Sequence, residues 1–507
     1  MPQDDPVLSF RTQRRDPRNQ CCYERLMAND DVESGNHYES PTSSSSFPPE
    51  LGLQSFSLSG DREMLNAERA QVLFAPLRKH AAATSDTGEA IEIYRMSLSG
   101  KSFDVGAATV AASHFARLRP RSLRVLHLAD VIAGRAEHEA LQVLELLSAA
   151  LADHDLVELD ISDNALGAKG VRACAALLGR SEHLECLSMC NNGLAADAIR
   201  LVVEALTRSD KRVVLRKLHL FNNLLEDDGA MALAPLLERA SMLEDFRFAS
   251  LRVSRRGAAA VGRALAHGTQ TLRRLDMADN TLGVDGSQAL ASALARQADL
   301  EELYLRDCLL TDAGARYVLE ALLYHGEKLG LRVLDLSGNE LTGAACGSLL
   351  AKLVERCATT LTHLRLDENE LGDEGALAIA TALATAPDRS RLVELSLYLN
   401  EIGGTAAVVL VQRCVRIASL RVLNLNGNRI GNTALEYIER LVADTPLEAG
   451  LVELDENADS GDESTDEDLL AQLANEICTD SGEPQTDAVE DQLRHLAVTS
   501  SNATSAS

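Results

Sequence analysis

Residues 156–170 read LVELDISDNALGAKG, and closely similar phrases return at residues 272–286 (LRRLDMADNTLGVDG) and 361–375 (LTHLRLDENELGDEG). They share the pattern Leu-x-x-Leu-x-Leu-x-x-Asn-x-Leu-Gly-x-x-Gly. The alternation in Leu-x-Leu fits a short strand that faces a core on one side. The small and aliphatic residues after the last Gly fit a helix with one buried face. A phrase that returns at a fixed spacing indicates a solenoid, in which each unit stacks on its neighbours.

The first apolar position of the pattern recurs about every 30 residues. It defines twelve units, which start at Ile93, Leu123, Leu156, Leu184, Leu215, Leu243, Leu272, Leu300, Leu331, Leu361, Leu392 and Leu420. Long, helix-bearing units of this kind predict an α/β fold, the leucine-rich-repeat solenoid. In this horseshoe, parallel strands line the concave face and helices cover the convex face, with right-handed connections.

Composition divides the chain into four parts. Residues 1–50 are polar, contain the run SPTSSSSFPPE and are predicted to form a disordered tail. Residues 51–92 carry one more copy of the apolar spacing, LQSFSLSGD, and are predicted to cap the solenoid of residues 93–450. Residues 451–507 hold 15 acidic residues against one basic residue, Arg494, and are predicted to be an acidic disordered tail.

The same sequence argues against several classes of function. A net charge of −27 disfavours nucleic acid as a partner, and no segment has the roughly 18 apolar residues needed for membrane insertion. The ten cysteines lack the spacing of a zinc site, which predicts reduced, mostly buried thiols. Gly100-Lys101-Ser102 lacks the first Gly of a phosphate-binding loop, since Arg95 stands there, and no nucleophile elbow is present. We therefore predict a binding protein without a cofactor, a metal or an active site of its own.

Polar residues are predicted to line the corners where strands lead into helices. The pattern's Asn is expected to bond neighbouring loop backbone. It is replaced by Lys101, Val131, Leu251 and Cys308, and at Leu251 and Cys308 the replacement is expected to be ordinary structural drift. A basic partner could bind the row formed by the other corner residues, or the row could be merely a solvated acidic surface. That row comprises Asp130, Arg135, Asp163, Asn191, Asn222, Asp279, Asp307 and Glu368.

Two positions depart from the regular pattern in an informative way. The unit that starts at Leu123 is longer than the others, and the extra length of its loop, ADVIAGRAEHEA, is expected to lift Arg135 out of the regular ladder. Asn191 stands one position before the ladder residue Asn192 and is therefore expected to point outward.

Over about residues 53–470, the sequence resembles the Ran GTPase-activating proteins. The likeness is carried by SFSLSG and MSLSGKSFDVGA in the cap and first unit, LADVIAGRAEHEAL in the second, SMCNNGLA in the fourth and LRDCLLTDAGA in the eighth. The acidic tail is also similar to the family's layout. The Asp-x-x-x-Gly-Arg loop that ends at Arg135 is the most specific signal, because ordinary repeats do not require it.

The resemblance implies a partner, the small GTPase Ran in its GTP form, and an activity, acceleration of GTP hydrolysis in support of nucleocytoplasmic transport. GTP and Mg²⁺ would be bound by the partner. Catalytic roles are implied for Asn191, next to the partner's active site, and for Arg135, which either contacts the partner or fixes the loop that does. The predicted partner-binding residues are Asp130, Asp163, Asn222, Asp279 and Asp307.

Several further expectations follow from the resemblance. The protein is expected to be a cytoplasmic monomer, and association with the nuclear envelope or with a Ran-binding protein is left open. The absence of Trp argues against the amino-terminal targeting domain of the plant members. Ala136 and Glu137 stand where some members carry a basic residue after the Gly-Arg pair. The alternative is a non-catalytic binding scaffold similar to ribonuclease inhibitor, in which the row determines affinity alone.

Overall fold

The Leu-x-Leu segments of the pattern form one long parallel sheet. In the computed structural model, the described residues are 55–58, 60–77, 92–180, 183–208, 212–385 and 387–457. Their strands are β1 (Ser55–Ser57), β2 (Glu63–Leu65), β3 (Arg95–Ser97), β4 (Lys101–Phe103), β5 (Val125–His127), β6 (Glu158–Asp160), β7 (Cys186–Ser188), β8 (Lys217–His219), β9 (Asp245–Arg247), β10 (Arg274–Asp276), β11 (Glu302–Tyr304), β12 (Val333–Asp335), β13 (His363–Arg365), β14 (Glu394–Ser396) and β15 (Val422–Asn424). Strands β2 and β4 pair with each other, and the other thirteen form the main sheet in chain order.

Helices follow the strands and pack against the helices of neighbouring repeats. Within the described residues they are α1 (Ala67–Leu73), α2 (Val105–Phe115), α3 (Glu137–Leu151), α4 (Gly167–Ala173), α5 (Ala175–Arg180), α6 (Ala196–Thr207), α7 (Glu226–Arg239), α8 (Arg255–Gly268), α9 (Gly283–Leu294), α10 (Thr311–Leu323), α11 (Gly343–Arg356), α12 (Gly372–Thr385), α13 (Gly404–Cys414) and α14 (Asn432–Val442). Short 3₁₀ turns occur at Gly326–Lys328 and Pro387–Arg389. No helix in the described ranges is long and apolar enough to cross a membrane.

The core is a stack of leucines held in register by the sheet. Leu126, Leu159, Leu187 and Leu218 are the middle residues of β5 to β8, and each pairs directly with the next. All four are at most 1% exposed. Burying one such side chain contributes roughly 1.5–3 kcal/mol, so the repeated Leu column supplies much of the folding free energy. The predicted leucine-rich-repeat solenoid is confirmed, and β1 of the cap is an additional strand of the same sheet.

A ladder of buried asparagines joins neighbouring repeats. Asn192 illustrates the arrangement: its Oδ1 accepts from the N–H of Asn164 at 2.9 Å, and its Nδ2 donates to the carbonyl of Ile161 at 3.0 Å. The N–H of Asn192 donates in turn to Oδ1 of Asn223 at 2.9 Å. Since buried backbone groups need partners, these bonds fix how one repeat sits on the next. The buried ladder asparagines are Asn164, Asn192, Asn223, Asn280, Asn339, Asn369, Asn400 and Asn428.

Where the ladder lacks Asn, two of the replacements supply a donor of their own. The thiol of Cys308 donates to the carbonyl of Met277 at 3.4 Å, in the manner of the missing amide. Lys101 is 3% exposed, and its Nζ donates to the carbonyl of Asp61 in the cap. This contact accounts for the lysine of the Gly-Lys-Ser sequence: it joins the cap to the first repeat.

Helix starts are held by carboxylates from the preceding repeat. Asp312 at the start of α10 accepts from the N–H of Thr342 at 2.8 Å, just before α11. Asp227 in α7 accepts in the same way from the N–H of Ser254 at 2.9 Å, before α8. Such bonds satisfy N–H groups that a helix leaves unpaired at its start. They lock the helical layer into the same stacking as the ladder.

The two ends of the solenoid are closed differently. In the cap, the ring of Phe74 lies 5.4 Å from that of Phe56 and 5.6 Å from that of Phe115, so several of the chain's few aromatics are gathered there. At the other end, Oδ1 of Asn457 accepts from the N–H of Asn428 at 2.8 Å and continues the ladder. The solenoid therefore extends past the predicted boundary at residue 450. The tails predicted to be disordered, residues 1–50 and the rest of 451–507, lie outside the described residues.

The ladder predicts unequal effects of two adjacent substitutions. Asn192→Ala leaves the buried N–H of Asn164 without its partner and removes one of the two bonds to the carbonyl of Ile161, which Nδ2 of Asn164 also contacts at 3.1 Å. It should cost about 2–3 kcal/mol of unfolding free energy. Asn191→Ala removes exposed hydrogen bonds and places Ala at φ 53°, which Asn tolerates better, so it should cost about 1 kcal/mol. Urea denaturation followed by circular dichroism measures both. Equal losses for the two variants would contradict the ladder's role.

Candidate protein-interaction edge

Each repeat places one residue at the carboxyl end of its strand, immediately before the ladder position, in the left-handed backbone conformation. Their φ angles lie between 51° and 73°. Asp, Asn and Gly tolerate this conformation better than other residues, which explains the composition of the row. We call it the edge row; it comprises Gly100, Asp130, Asp163, Asn191, Asn222, Ser250, Asp279, Asp307, Gly338, Glu368, Leu399 and Gly427. All the predicted site residues except Arg135 belong to it.

Asn191 is the middle member of a hydrogen-bonded chain across three repeats. Its Nδ2 donates to Oδ1 of Asp163 at 2.9 Å, and its Oδ1 accepts from Nδ2 of Asn222 at 3.0 Å. All three residues are exposed, whereas the adjacent ladder residue Asn192 is fully buried. A side-chain amide has two N–H groups and two acceptor lone pairs, so Asn191 keeps one donor and one acceptor for another molecule. Its orientation is fixed by its neighbours before any partner arrives.

Arg135 lies near the edge row, but its guanidinium is turned back into the protein. Its Nε donates to Oγ of Ser102 at 3.0 Å. Its Nη2 donates to the carbonyls of Ser102 at 2.7 Å and of Leu65 at 3.2 Å. The side chain is only 11% exposed. The long loop therefore does not present this arginine to solvent, because backbone carbonyls of the cap and first repeat hold it.

Ser102 connects the first repeat to the long loop. Besides accepting from Arg135, its Oγ donates to the carbonyl of Ala133, inside the long loop, at 2.6 Å. Ser102 lies within the segment MSLSGKSFDVGA, and no sequence pattern there marks it as a functional residue. Its partners are a loop 31 residues away and an arginine 33 residues away, so only the folded chain brings them together.

Asp130, at the cap end of the edge row, is already paired within the chain. Its Oδ1 lies 2.6 Å from Nη2 of Arg62, and its side chain is 23% exposed. A partner that binds Asp130 would have to displace or share Arg62. Arg62 lies in the cap and outside the repeated pattern, so the spacing of the repeats does not point to it.

Farther along the edge, an arginine links two row members. Arg306 lies 3.0 Å from Asp307 and 3.2 Å from Glu368, two repeats away. Asp279 is exposed, and in the described ranges neither it nor Asp163 forms an ion pair. The carboxylates of Asp163 and Asp279 thus remain free to bind a cation from outside.

The face of the sheet differs from its edge because its charges neutralise one another. Arg365 binds Glu394 through two bonds of 2.7 and 2.9 Å, and Arg274 lies 3.1 Å from Glu302. Burial raises the pKa of the neighbouring carboxyl of Asp335 above its usual range. Compared with the face of the sheet, the edge row therefore presents more unpaired carboxylates to a partner.

The described cysteine thiols near the edge row are poor nucleophiles. The seven cysteines of the described ranges are free, and burial raises the pKa of each thiol, including Cys190 beside Asn191. At neutral pH such thiols stay protonated, and the thiolate is the reactive form. Five of these seven cysteines are buried, and Cys186 and Cys190 are partly buried, as the prediction of mostly buried thiols requires.

Comparisons with known proteins agree with this architecture. A family model described as Leucine Rich repeat matches residues 152–173, 214–234, 269–291, 357–380 and 417–438. RAN GTPase-activating protein 2 of Arabidopsis thaliana is 34% identical over 405 residues, which cover 80% of this chain and 70% of that protein. RAN GTPase-activating protein 1 of the same plant is 36% identical over 126 residues, 25% of this chain and 22% of that protein. Ribonuclease inhibitor of Mus musculus is 28% identical over 323 residues, 63% of this chain and 68% of that protein.

The contacts of Ser102 predict a local effect of its removal. Ser102→Ala deletes the bond to Ala133 and one of the bonds to Arg135, so the long loop should open more often. We expect amide hydrogen exchange in residues 131–136 to become about tenfold faster, which corresponds to about 1.4 kcal/mol. Ser113→Ala, on the outer side of α2 in the same repeat, is the matched control and should leave that exchange unchanged. Equal protection in the two variants would show that Ser102 does not hold the loop.

Proposed function

Since this chain belongs to the family of Ran GTPase-activating proteins, we propose that it accelerates GTP hydrolysis by the small GTPase Ran. Ran in its GTP form binds along the edge row, and the chain acts on the partner's active site without one of its own. GTP and Mg²⁺ are bound by Ran. We further propose that the protein works as a cytoplasmic monomer in nucleocytoplasmic transport.

The observation that carries this proposal is the fixed, exposed amide of Asn191. Hydrolysis of GTP requires mainly that the attacking water and the residue orienting it be held in line with the γ-phosphate. A side chain already held by Asp163 and Asn222 loses little conformational entropy when it hydrogen-bonds the partner. Asn191, with one donor and one acceptor remaining, is suited to orient the GTPase's own water-positioning residue.

Arg135 has a different role in the proposed mechanism. An inserted arginine would need a free guanidinium, whereas that of Arg135 is bound to the carbonyls of Ser102 and Leu65. We therefore assign Arg135 as a positioning residue, one that fixes the loop between β5 and α3 against the cap. The sequence left open whether this arginine contacts the partner or shapes the loop, and its hydrogen bonds favour the second role.

The carboxylates of the edge row provide electrostatic complementarity to a basic partner surface. Asp163 and Asp279 are exposed and have no cation of their own in the described ranges, and Asp307 is only partly neutralised by Arg306. Such charges mainly raise the rate of encounter and set the orientation of the partner. We propose that these residues and Asn222 contribute to binding while Asn191 contributes to the chemical step.

The second candidate is a binding scaffold without activating function, which the similarity to ribonuclease inhibitor favours. A scaffold would sequester its partner in a fixed ratio. An activator would release it after each turnover. The scaffold and the activator therefore differ in turnover number, whatever their affinity for the partner.

Multiple-turnover hydrolysis tests the proposed function directly. With Ran·GTP in roughly hundredfold excess over this chain, we expect phosphate release to be accelerated by about 10³-fold or more, in the range known for activated GTPases. Phosphate is measured continuously with a fluorescent phosphate sensor. Binding of Ran·GTP without any acceleration would identify the protein as a scaffold.

Substitution of Asn191 tests the proposed mechanism. Asn191→Ala should lower kcat by about 100-fold, the usual effect of losing one positioned hydrogen-bond donor in a transition state, while KM changes little. Asp279→Asn, elsewhere on the edge row, should raise KM a few-fold and leave kcat unchanged, because its charge serves encounter. Asn192→Ala, at matched concentration of folded protein, should retain far more activity than Asn191→Ala. The reverse order for the two asparagines would contradict the assignment.

A further inference from the structure

Two leucines on the candidate edge are both exposed and in the left-handed backbone conformation. Leu309 has φ 48° and is 45% exposed, and Leu399 has φ 51° and is 42% exposed. Among the described residues, they are the two large apolar side chains that combine these properties. Leu399 is itself a member of the edge row, and Leu309 follows the ladder residue Cys308.

The fold requires the backbone conformation at these positions but not the leucine. Gly193 and Glu340 occupy the place of Leu309 in other repeats, with φ 62° and 57°. A left-handed conformation is unfavourable for an L-residue with a bulky side chain and is usual for Gly, Asn and Asp. A strained residue at the surface, where its side chain adds little to the core, points to a role outside folding.

The surroundings of the two leucines match the layout of a protein interface. Leu309 lies beside Asp307, whose carboxylate is linked through Arg306 to Glu368. Exposed Glu370 lies in the same corner as Glu368, one repeat before Leu399. The side chain of Leu399 lies against Gly427: a Cβ added at Gly427 would come within 2.7 Å of Cδ2 of Leu399. Apolar contacts within a charged rim are typical of the parts of an interface that carry most of its binding energy.

The spacing of these residues suits a single partner. Strands lie about 4.8 Å apart, and four repeats separate Asn191 from Leu309, so the two are about 19 Å apart along the edge. Leu399, three repeats farther on, is about 34 Å from Asn191. A folded domain of about 200 residues is roughly 40 Å across, so a small GTPase centred on this edge reaches all three positions.

We propose that Leu309 and Leu399 form a second contact region for the same GTPase, an apolar anchor that supplies affinity away from the catalytic contact at Asn191. This inference rests on the proposed function and adds to it the residues that hold the partner. The acidic side chains around the leucines orient a basic surface of the GTPase, and the leucines bury against its apolar side chains. Affinity and catalysis are thus separated along the edge by whole repeats.

Asparagine substitutions separate the anchor role from a role in folding. Asn favours the left-handed conformation and is polar, so Leu309→Asn and Leu399→Asn should keep or raise Tm while they weaken binding. We expect each to raise the Kd for Ran bound to a non-hydrolysable GTP analogue by about tenfold, and to raise KM similarly with kcat unchanged. Tyr324→Asn, at a residue 78% exposed at the carboxyl end of α10, is the matched control and should leave Kd, KM and kcat unchanged.

Each possible result bears on the proposal. Unchanged Kd and KM in both leucine variants, with normal activation by the wild-type protein, would overturn the anchor and leave the proposed function standing. A fall in Tm of several degrees would show that the leucines serve the fold, and would equally overturn it. A wild-type protein that does not activate Ran would remove the proposed function, and the anchor with it.

Discussion

The hydrogen bond from a buried backbone N–H to the asparagine of the next repeat is the constraint on which this molecule depends. Strands of three residues form too few bonds to hold a sheet by themselves, and loops between strand and helix would otherwise bury unpaired backbone groups. The asparagines satisfy those groups, as the bonds of Asn192 to Asn164 and Ile161 illustrate. The same corner forces the preceding residue into the left-handed conformation, and that residue becomes part of the exposed edge row. Ladder and edge are therefore two sides of one loop.

This coupling explains why the fold could be predicted from sequence. The spacing of Leu and Asn reports burial, and burial in a repeated unit leaves few alternative arrangements. The outward position of Asn191 also followed, since a residue adjacent to a buried ladder position must face the other way. Even the composition of the edge row, rich in Asp, Asn and Gly, reflects a backbone requirement as much as a functional one. The acidic character of the edge thus arises partly from folding, and a basic partner could exploit it.

Other features could not be read from the pattern, because they depend on contacts between segments that do not resemble one another. The guanidinium of Arg135 binds the carbonyl of Leu65, 70 residues earlier, and a backbone carbonyl leaves no trace in a sequence. The pairing of Arg62 with Asp130 likewise depends on how the cap folds onto the second repeat. Leu309 and Leu399 looked like ordinary apolar residues until their backbone angles and exposure were known. Repetition predicts what the units share, and it does not predict contacts between segments that differ in sequence.

Every repeat advances the edge by one strand spacing of about 4.8 Å. The distance between two positions on the edge is therefore set by the number of repeats between them. An insertion or deletion of one complete repeat between Asn191 and Leu309 would preserve the ladder and the register, yet would shift the two positions relative to each other by that fixed step. The number of repeats between Asn191 and Leu309 therefore determines the length of the binding surface, independently of the side chains on it. A relative with one repeat more or fewer in this interval would keep the same side chains and fit a partner of a different width.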